Sequence, residues 1–225
     1  MISADHLHKI AFWSHDLDDK EIERVRRAIV ERQYTRGDYI CHRGDRLESW
    51  TGVSDGLIKL GTTSRSGKTV TLAGIRSGAW FGEGTLLKDE VRHYDLVALR
   101  DTRLALMNKA TFFWLFERSA AFNRFLVRQF NERLGQFIAL VEYDRSLGAT
   151  ARVARSIAWL FNPVLYRGNE ERHLDISHEE IGLLSGLSRP VTGQSLKRLE
   201  DEGLLRMEHG GLTVLDLSRL RVYGE

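Results

Sequence analysis

Between Ser177 and Gly203 the chain reads SHEEIGLLSGLSRPVTGQSLKRLEDEG, and several of its side chains can read a nucleic acid. Arg189 suits guanine O6 and N7, and Gln194 can pair bidentately with adenine. Thr192, Ser195 and Lys197 suit phosphate oxygens. The spacing supplies a platform for them. Ser177 and Glu180 form a capping box at the start of one short helix. Ile181 and Leu184 make its inward stripe, Gly186 the turn, and Leu187 the plug between two helices. Ser188 caps the second helix, Pro190 sits in its first turn, where a missing N–H costs nothing, and Gly203 stops it. Val191, Leu196 and Leu199 are expected to face inward. Arg189, Thr192, Gly193, Gln194 and Lys197 are then left on or near the outer face, whose N-terminal end suits a major groove. The next stretch, LLRMEHGGLTVLD, predicts two strands around His209-Gly210-Gly211, a hairpin that would serve as a wing. An ordinary small domain of two helices and a hairpin would show the same pattern, so the motif alone does not decide its use.

The rest of the chain must hold and switch this platform. The stretch DDKEIERVRRAIVER predicts a helix, with Ile22, Val25 and Ile29 at helical spacing and Asp18 or Asp19 as its cap. From residue 34 to 108 glycines recur between short runs rich in β-formers: YIC, GLIKLGTT, KTVTLAGI and YDLVALRDTRLALM. That spacing predicts a β-barrel or sandwich, with a hairpin turn at Gly67. KATFFWLFERS predicts a short helix, followed by a long one from about Ala120 to Leu147. Along it Val127, Phe130, Leu134, Phe137 and Val141 repeat at 3-4-3-4 spacing, a coiled-coil seam over two heptads. Phe122, Phe125, Leu126 and Ile138 form a second apolar set beside it, so one set can face the β-domain and the other a parallel partner helix. The alternative is a stripe packed on its own domain. A further helix, ATARVARSIAWLFN, is expected to end before Pro163.

Composition narrows the classes. The chain has 225 residues, enough for two domains, and a net charge of only +2. Residues 148–225 hold 10 Lys+Arg against 11 Asp+Glu, so a DNA reading rests on the motif rather than bulk charge. The single cysteine, Cys41, leaves no internal disulfide and no ligand set for an iron–sulfur cluster, which suits a reducing cytoplasm. No apolar run is long enough for a membrane span, and the N-terminus has no signal-peptide core. Neither a nucleophile–base–orienter set, nor a P-loop, nor metal-ligand spacing is present, so a catalytic role is not expected.

Taken together, EEIGLLSGLSRPVTGQSLKRLEDEGLL, GDYICHRGD, DGLIKL and FGE closely resemble the cyclic-AMP receptor protein / fumarate–nitrate regulator (CRP/FNR) family of bacterial transcription regulators, from about Ile10 to Leu215. The resemblance implies an α+β chain. A cyclic-nucleotide-binding-type, jelly-roll-like β-roll with flanking helices would occupy residues 1–118, a long dimerisation helix 119–147, and a winged helix-turn-helix 148–225. It implies a cytoplasmic homodimer on a palindromic double-stranded operator, with RNA polymerase as the expected protein partner. Arg189 matches the family's base-contacting arginine. Pro190 stands where cyclic-AMP receptors have glutamate, and Gln194 where a second arginine is common, so a different target sequence is expected.

The same resemblance implies an effector pocket in FGEGTLLKDEVRHYDLVAL, where Gly82, Glu83 and Arg92 match the family's phosphate-binding cassette. Glu83 would accept from a ribose 2′-OH and Arg92 would pair with a cyclic phosphate, as in cyclic AMP or cyclic GMP. Two departures oppose it. His93 replaces a hydroxyl residue, and Phe137 and Ile138 stand where an adenine-contacting Thr-Ser pair would be. The alternatives are an internal Glu83–Arg92 ion pair in a pocket that has lost its ligand, a small hydrophobic signal, or haem ligated by one of His6, His8, His15, His42 and His93, for which no haem motif is present. Cys41 is read as a buried structural thiol, with a redox handle as the alternative. Two functional alternatives also stand: a sensing module acting through protein contacts, and a constitutive DNA binder controlled by abundance.

Overall fold

The computed structural model of the protein describes residues 1–63, 69–166 and 171–224. These fall into two compact units, Met1–Asn131 with Pro163–Asn169, and Glu132–Asn162 with Glu170–Glu225.

The first unit opens with α1 (Ala4–Ile10), a 3-10 turn (Phe12–Asp16) and α2 (Asp19–Ala28). Asp18 starts α2 with a capping box: its carboxylate accepts from the Lys20 and Glu21 amides, and Glu21 reaches back to its N–H. The expected helix runs on through Ile29, but α2 stops at Ala28. Ile29 opens strand β1 (Ile29–Tyr34), which pairs along its whole length with β8 (Thr102–Asn108). Two adjacent β-branched residues with a ready partner strand favour the extended form, and Ile29 is buried either way.

Between them come β2 (Tyr39–Cys41), β3 (Ser49–Asp55), β4 (Leu57–Thr63), β5 (Thr69–Arg76), β6 (Trp80–Phe81), helix α3 (Glu83–Lys88) and β7 (Asp95–Ala98). Two antiparallel four-stranded sheets result, in the orders β1-β8-β3-β6 and β2-β7-β4-β5. The run YDLVALRDTRLALM is therefore two strands, β7 and β8, which belong to different sheets. The turn expected at Gly67 lies outside the described residues; the strands flanking it pair, with Thr63 opposite Thr69. Aromatic side chains fill the core. Trp13, Trp50, Trp80, Phe112 and Phe122 are all buried, with Trp50 and Trp80 centroids 4.6 Å apart. Trp80 lies over Gly52, which leaves no room for a Cβ.

Helix α4 (Lys109–Arg118), capped by Asn108, leads to α5 (Ala120–Ser146), 27 residues long and so about 40 Å. Phe122 and Leu126 bury into the first unit. Val127, Phe130, Leu134, Phe137, Ile138 and Val141 are all exposed.

The second unit adds α6 (Ala149–Trp159), β9 (His173–Leu174), α7 (His178–Ser185), α8 (Arg189–Asp201), β10 (Leu205–Glu208), β11 (Gly211–Val214) and α9 (Leu217–Arg221). Helix α6 ends at Trp159, short of the expected Asn162, because Leu160, Phe161 and Asn162 each donate three residues back in tight turns. The small sheet runs β10-β11-β9.

Candidate functional site

Helices α7 and α8 form the expected pair. Ser177 accepts from Glu180 N–H, and Glu180 accepts from Ser177 N–H at 2.7 Å, so the capping box is complete. Gly186 closes α7 in the left-handed region at φ 66°, where only glycine is at ease. Arg152 completes this corner. Its guanidinium donates to the Ser185 carbonyl at 2.8 Å and pairs with Asp144 at 3.0 Å. Ser188 holds the cap position of α8 without a side-chain cap bond, and Pro190 lies in the first turn.

The outer face of α8 differs from the expected one at two positions. Thr192 and Ser195, read as phosphate contacts, are buried at 0% and 3% exposure. Thr192 faces α7 because Gly182 leaves room for it. A Cβ on Gly182 would sit 2.9 Å from both Thr192 Oγ1 and the Leu187 carbonyl, and Thr192 Oγ1 donates to the Ser188 carbonyl at 3.0 Å. Small hydroxyl residues allow the helices to approach closely. The exposed face is Arg189, Pro190, Gln194, Lys197 and Arg198, with Ser188 at its start. Arg189 and Lys197 make no ion pair among the described residues, so both charges face outward. Arg198, missed in the sequence reading, shares this face but is held by Glu202 at 3.0 Å. Its hydrogen bond keeps the Glu202 carboxyl below its ordinary range.

The wing is β10 and β11, turned through His209 and Gly210, with Gly210 at φ 81°. Its one strand carboxylate, Glu208, is covered: Arg206 donates from Nε and Nη2, Thr213 Oγ1 donates at 2.8 Å, and His173 approaches at 3.2 Å. The Arg206 bonds lead the causes that lower the Glu208 carboxyl. A neutralised wing does not repel a phosphate backbone.

In the β-roll, Arg92 is wholly buried. Its backbone is pinned on both sides, since its N–H donates to Asp45 and its carbonyl accepts from Gly44. Nη1 donates to Thr85 Oγ1 at 3.1 Å and to the Tyr94 hydroxyl at 2.9 Å. Nε and Nη2 are buried with no hydrogen-bond partner. Gly82 makes the space: at φ 102° it carries no Cβ, and one would lie 2.6 Å from Nη2. Glu83 opens α3, is buried, and accepts from Trp50 Nε1 at 3.1 Å. Arg92 thus takes Thr85 and Tyr94 as partners rather than Glu83, so the alternative of an internal Glu83–Arg92 pair is not the one formed. A buried guanidinium with N–H groups lacking acceptors is costly alone and chemically matched to an anion.

His93 does not join this group. It is exposed and lies 3.5 Å from Glu90. The hydroxyls beside Arg92 are those of Thr85 and Tyr94, which the sequence reading passed over; Tyr94, two residues beyond the arginine, was the available signal. Phe137 and Ile138 lie on α5 in the second unit, both exposed. The other four histidines weighed as haem ligands have local partners: His6 meets Glu31, His8 bonds Ser14 and stacks on His15, and His42 stacks on Tyr39. Cys41 is buried, and burial pushes its thiol from 9.0 up to about 11, with the Arg92 charge opposing. Among the described residues no group of three or more His, Cys, Asp or Glu could hold a metal ion. None of their helices is long and apolar enough to cross a membrane.

A β-roll holding a buried guanidinium, followed by a capped two-helix reading head with a wing, defines a sensor-bearing DNA-binding protein. Residues 31–119 match the family model of the cyclic nucleotide-binding domain, and residues 151–223 that of the Crp-like helix-turn-helix domain. The chain belongs to the CRP/FNR family and is a DNA-binding transcription regulator. It is 28% identical over 206 residues to the cyclic AMP receptor protein of Thermus thermophilus, covering 92% of this chain and 93% of that one. It is 26% identical to the cAMP-activated global transcriptional regulator Vfr of Pseudomonas aeruginosa, covering 84% and 91%. Its fold is also that of FixK2 from Bradyrhizobium japonicum, at a TM-score of 0.70 and 19% identity over 86% of this chain and 96% of that one.

Proposed function

We propose that this regulator works as a homodimer on a palindromic operator and is switched by a cyclic nucleotide held in its β-roll. Arg92 carries the effector reading. Its two uncommitted N–H faces, buried beside Gly82, suit the equatorial oxygens of a cyclic phosphate. Glu83, buried at the start of α3 and bonded by Trp50, is the carboxylate proposed to accept from a ribose hydroxyl. The names of the two relatives point the same way: one is a cyclic AMP receptor and the other is cAMP-activated. On the DNA side, Arg189 and Gln194 read base edges, and Ser188 and Lys197 meet phosphates. Ser177 and Pro190 shape the helix starts, and Thr192 and Ser195 set the helix spacing. The exposed apolar stripe of α5 from Val127 to Val141 supports the dimer. The protein acts in the cytoplasm, where the operator and RNA polymerase are, and has no catalytic role of its own.

A second reading, a constitutive binder with a closed pocket, is favoured by His93 pointing to solvent and by the apolar Phe137 and Ile138. Calorimetric titration with cyclic AMP and cyclic GMP separates the two. The first reading expects saturable micromolar binding that Arg92→Ala weakens by about 100-fold. No heat with either nucleotide overturns it and leaves Arg92 as scaffold.

A further inference from the structure

A second concave site lies in the first unit, built from residues other than the cassette. A cavity of about 450 Å³ opens among the 3-10 turn, the start of α5 and the Pro163–Leu165 segment. That volume is in the range of small organic ligands. Its walls are aromatic: Phe12, Trp13 and Phe125, with Leu165 opposite in chain order. Arg124 and Arg128 line it too, one helical turn apart and on one face of α5. Both are exposed, and neither makes an ion pair among the described residues. Asp16 is the one acidic residue of the lining. Trp13 is 4% exposed, and its ring is fixed edge-on against Trp80 and Phe122. Its indole N–H is nonetheless buried without an acceptor.

Two independent observations therefore converge on one ligand chemistry. Paired, uncommitted guanidiniums call for an anion. A wall of three aromatic side chains calls for a flat ring. We infer that this cavity is a binding site for an aromatic carboxylate, distinct from the Arg92 site. The ring lies among Phe12, Trp13 and Phe125, and the carboxylate meets Arg124 and Arg128. Two guanidiniums against the single Asp16 carboxylate suit one negative charge, and a polyphosphate would meet Asp16.

The test uses the full-length, ¹⁵N-labelled protein, with the Trp13 indole N–H resonance as reporter, assigned through Trp13→Phe. The probes are indole-3-acetate and salicylate, with neutral indole-3-acetamide and aliphatic decanoate as comparisons. The expected result is a saturable shift of the Trp13 signal with an aromatic acid. The amide should bind about tenfold more weakly, as should the acid to the Arg124→Ala/Arg128→Ala double variant. Arg92→Ala should leave the shift unchanged. Because both arginines are exposed, the double variant should keep the parent melting temperature. The inference is overturned by an unmoved Trp13 signal with both acids, by equal affinity for the amide, or by full binding to the double variant. Decanoate binding as tightly as indole-3-acetate overturns the aromatic assignment.

Discussion

Arg92 and Arg189 carry the same guanidinium in opposite settings. Arg92 is wholly buried, pinned by two hydroxyls and by backbone bonds on either side, and laid across a glycine that nothing larger can replace. Arg189 stands in the first turn of α8, exposed and without an ion pair among the described residues. In the proposed function the buried one meets a single small anion in one orientation, and its surroundings are as specialised as the residue itself. The exposed one must adapt to a large, hydrated surface, so its support is the rigidity of α8 rather than a shell of partners. A sensing site spends its specificity on a cavity; a reading site spends it on the placement of a helix.

Substitutions at and around these sites put the contrast to the test. The largest effect is expected at the dimer. Phe130→Glu with Phe137→Glu puts four like charges into the paired seam, and sedimentation should show monomers where the parent chain is dimeric. An unchanged dimer would remove the stripe from the interface. Next, Arg92→Ala should weaken cyclic nucleotide binding by about 100-fold, about 2.7 kcal/mol, because a buried charge-assisted pair is lost. Gly182→Ala should destabilise the second unit by about 1–3 kcal/mol, since the added methyl must displace Thr192 or the Leu187 carbonyl. Thermal melting checks it, and Thr192→Ala beside it, which removes the crowded Oγ1, should recover part of the loss. Arg189→Ala should cost about 1–3 kcal/mol on the specific operator and relax discrimination there. Lys197→Ala should weaken all duplexes alike and lower the salt slope by about one. The smallest effect concerns Cys41. With its folded thiol pushed up to about 11, the unfolded chain loses the proton first as pH rises above 9.0. Stability from this group is therefore full below 9.0 and lost toward 11, and the difference in denaturation midpoint between the parent and Cys41→Ala should change over that window.

The legible parts of the chain were those where local chemistry agrees with the final fold. The capping box at Ser177, the left-handed Gly186 and the long apolar repeat of α5 carry their own instructions. The misses arose where distant partners decide. Ile29 fits a helical stripe, yet β8 draws it into a strand. Strand β3 reads SWTGVSD, with too many polar residues to stand out, and exists because β8 and β6 flank it. The two-residue β9 is visible only once β11 lies beside it. Thr192 and Ser195 look like phosphate donors because they are polar, but the missing side chain at Gly182 draws one of them inward. At the proposed effector site, Gly82, Glu83 and Arg92 stand out by pattern alone. Their partners Thr85 and Tyr94 lie in the same segment but match no pattern, and Trp50 comes from β3, 33 residues before Glu83.

Arg152 has a mechanical meaning beyond its bonds. One guanidinium grips Asp144 near the end of α5 and the carbonyl that closes α7 at Ser185. The far end of the helix with the exposed seam and the corner between the two reading helices thus share a hub. A roll of the α5 terminus about its axis would reach that corner as torque through this ion pair, alongside the short Leu147–Gly148 link to α6.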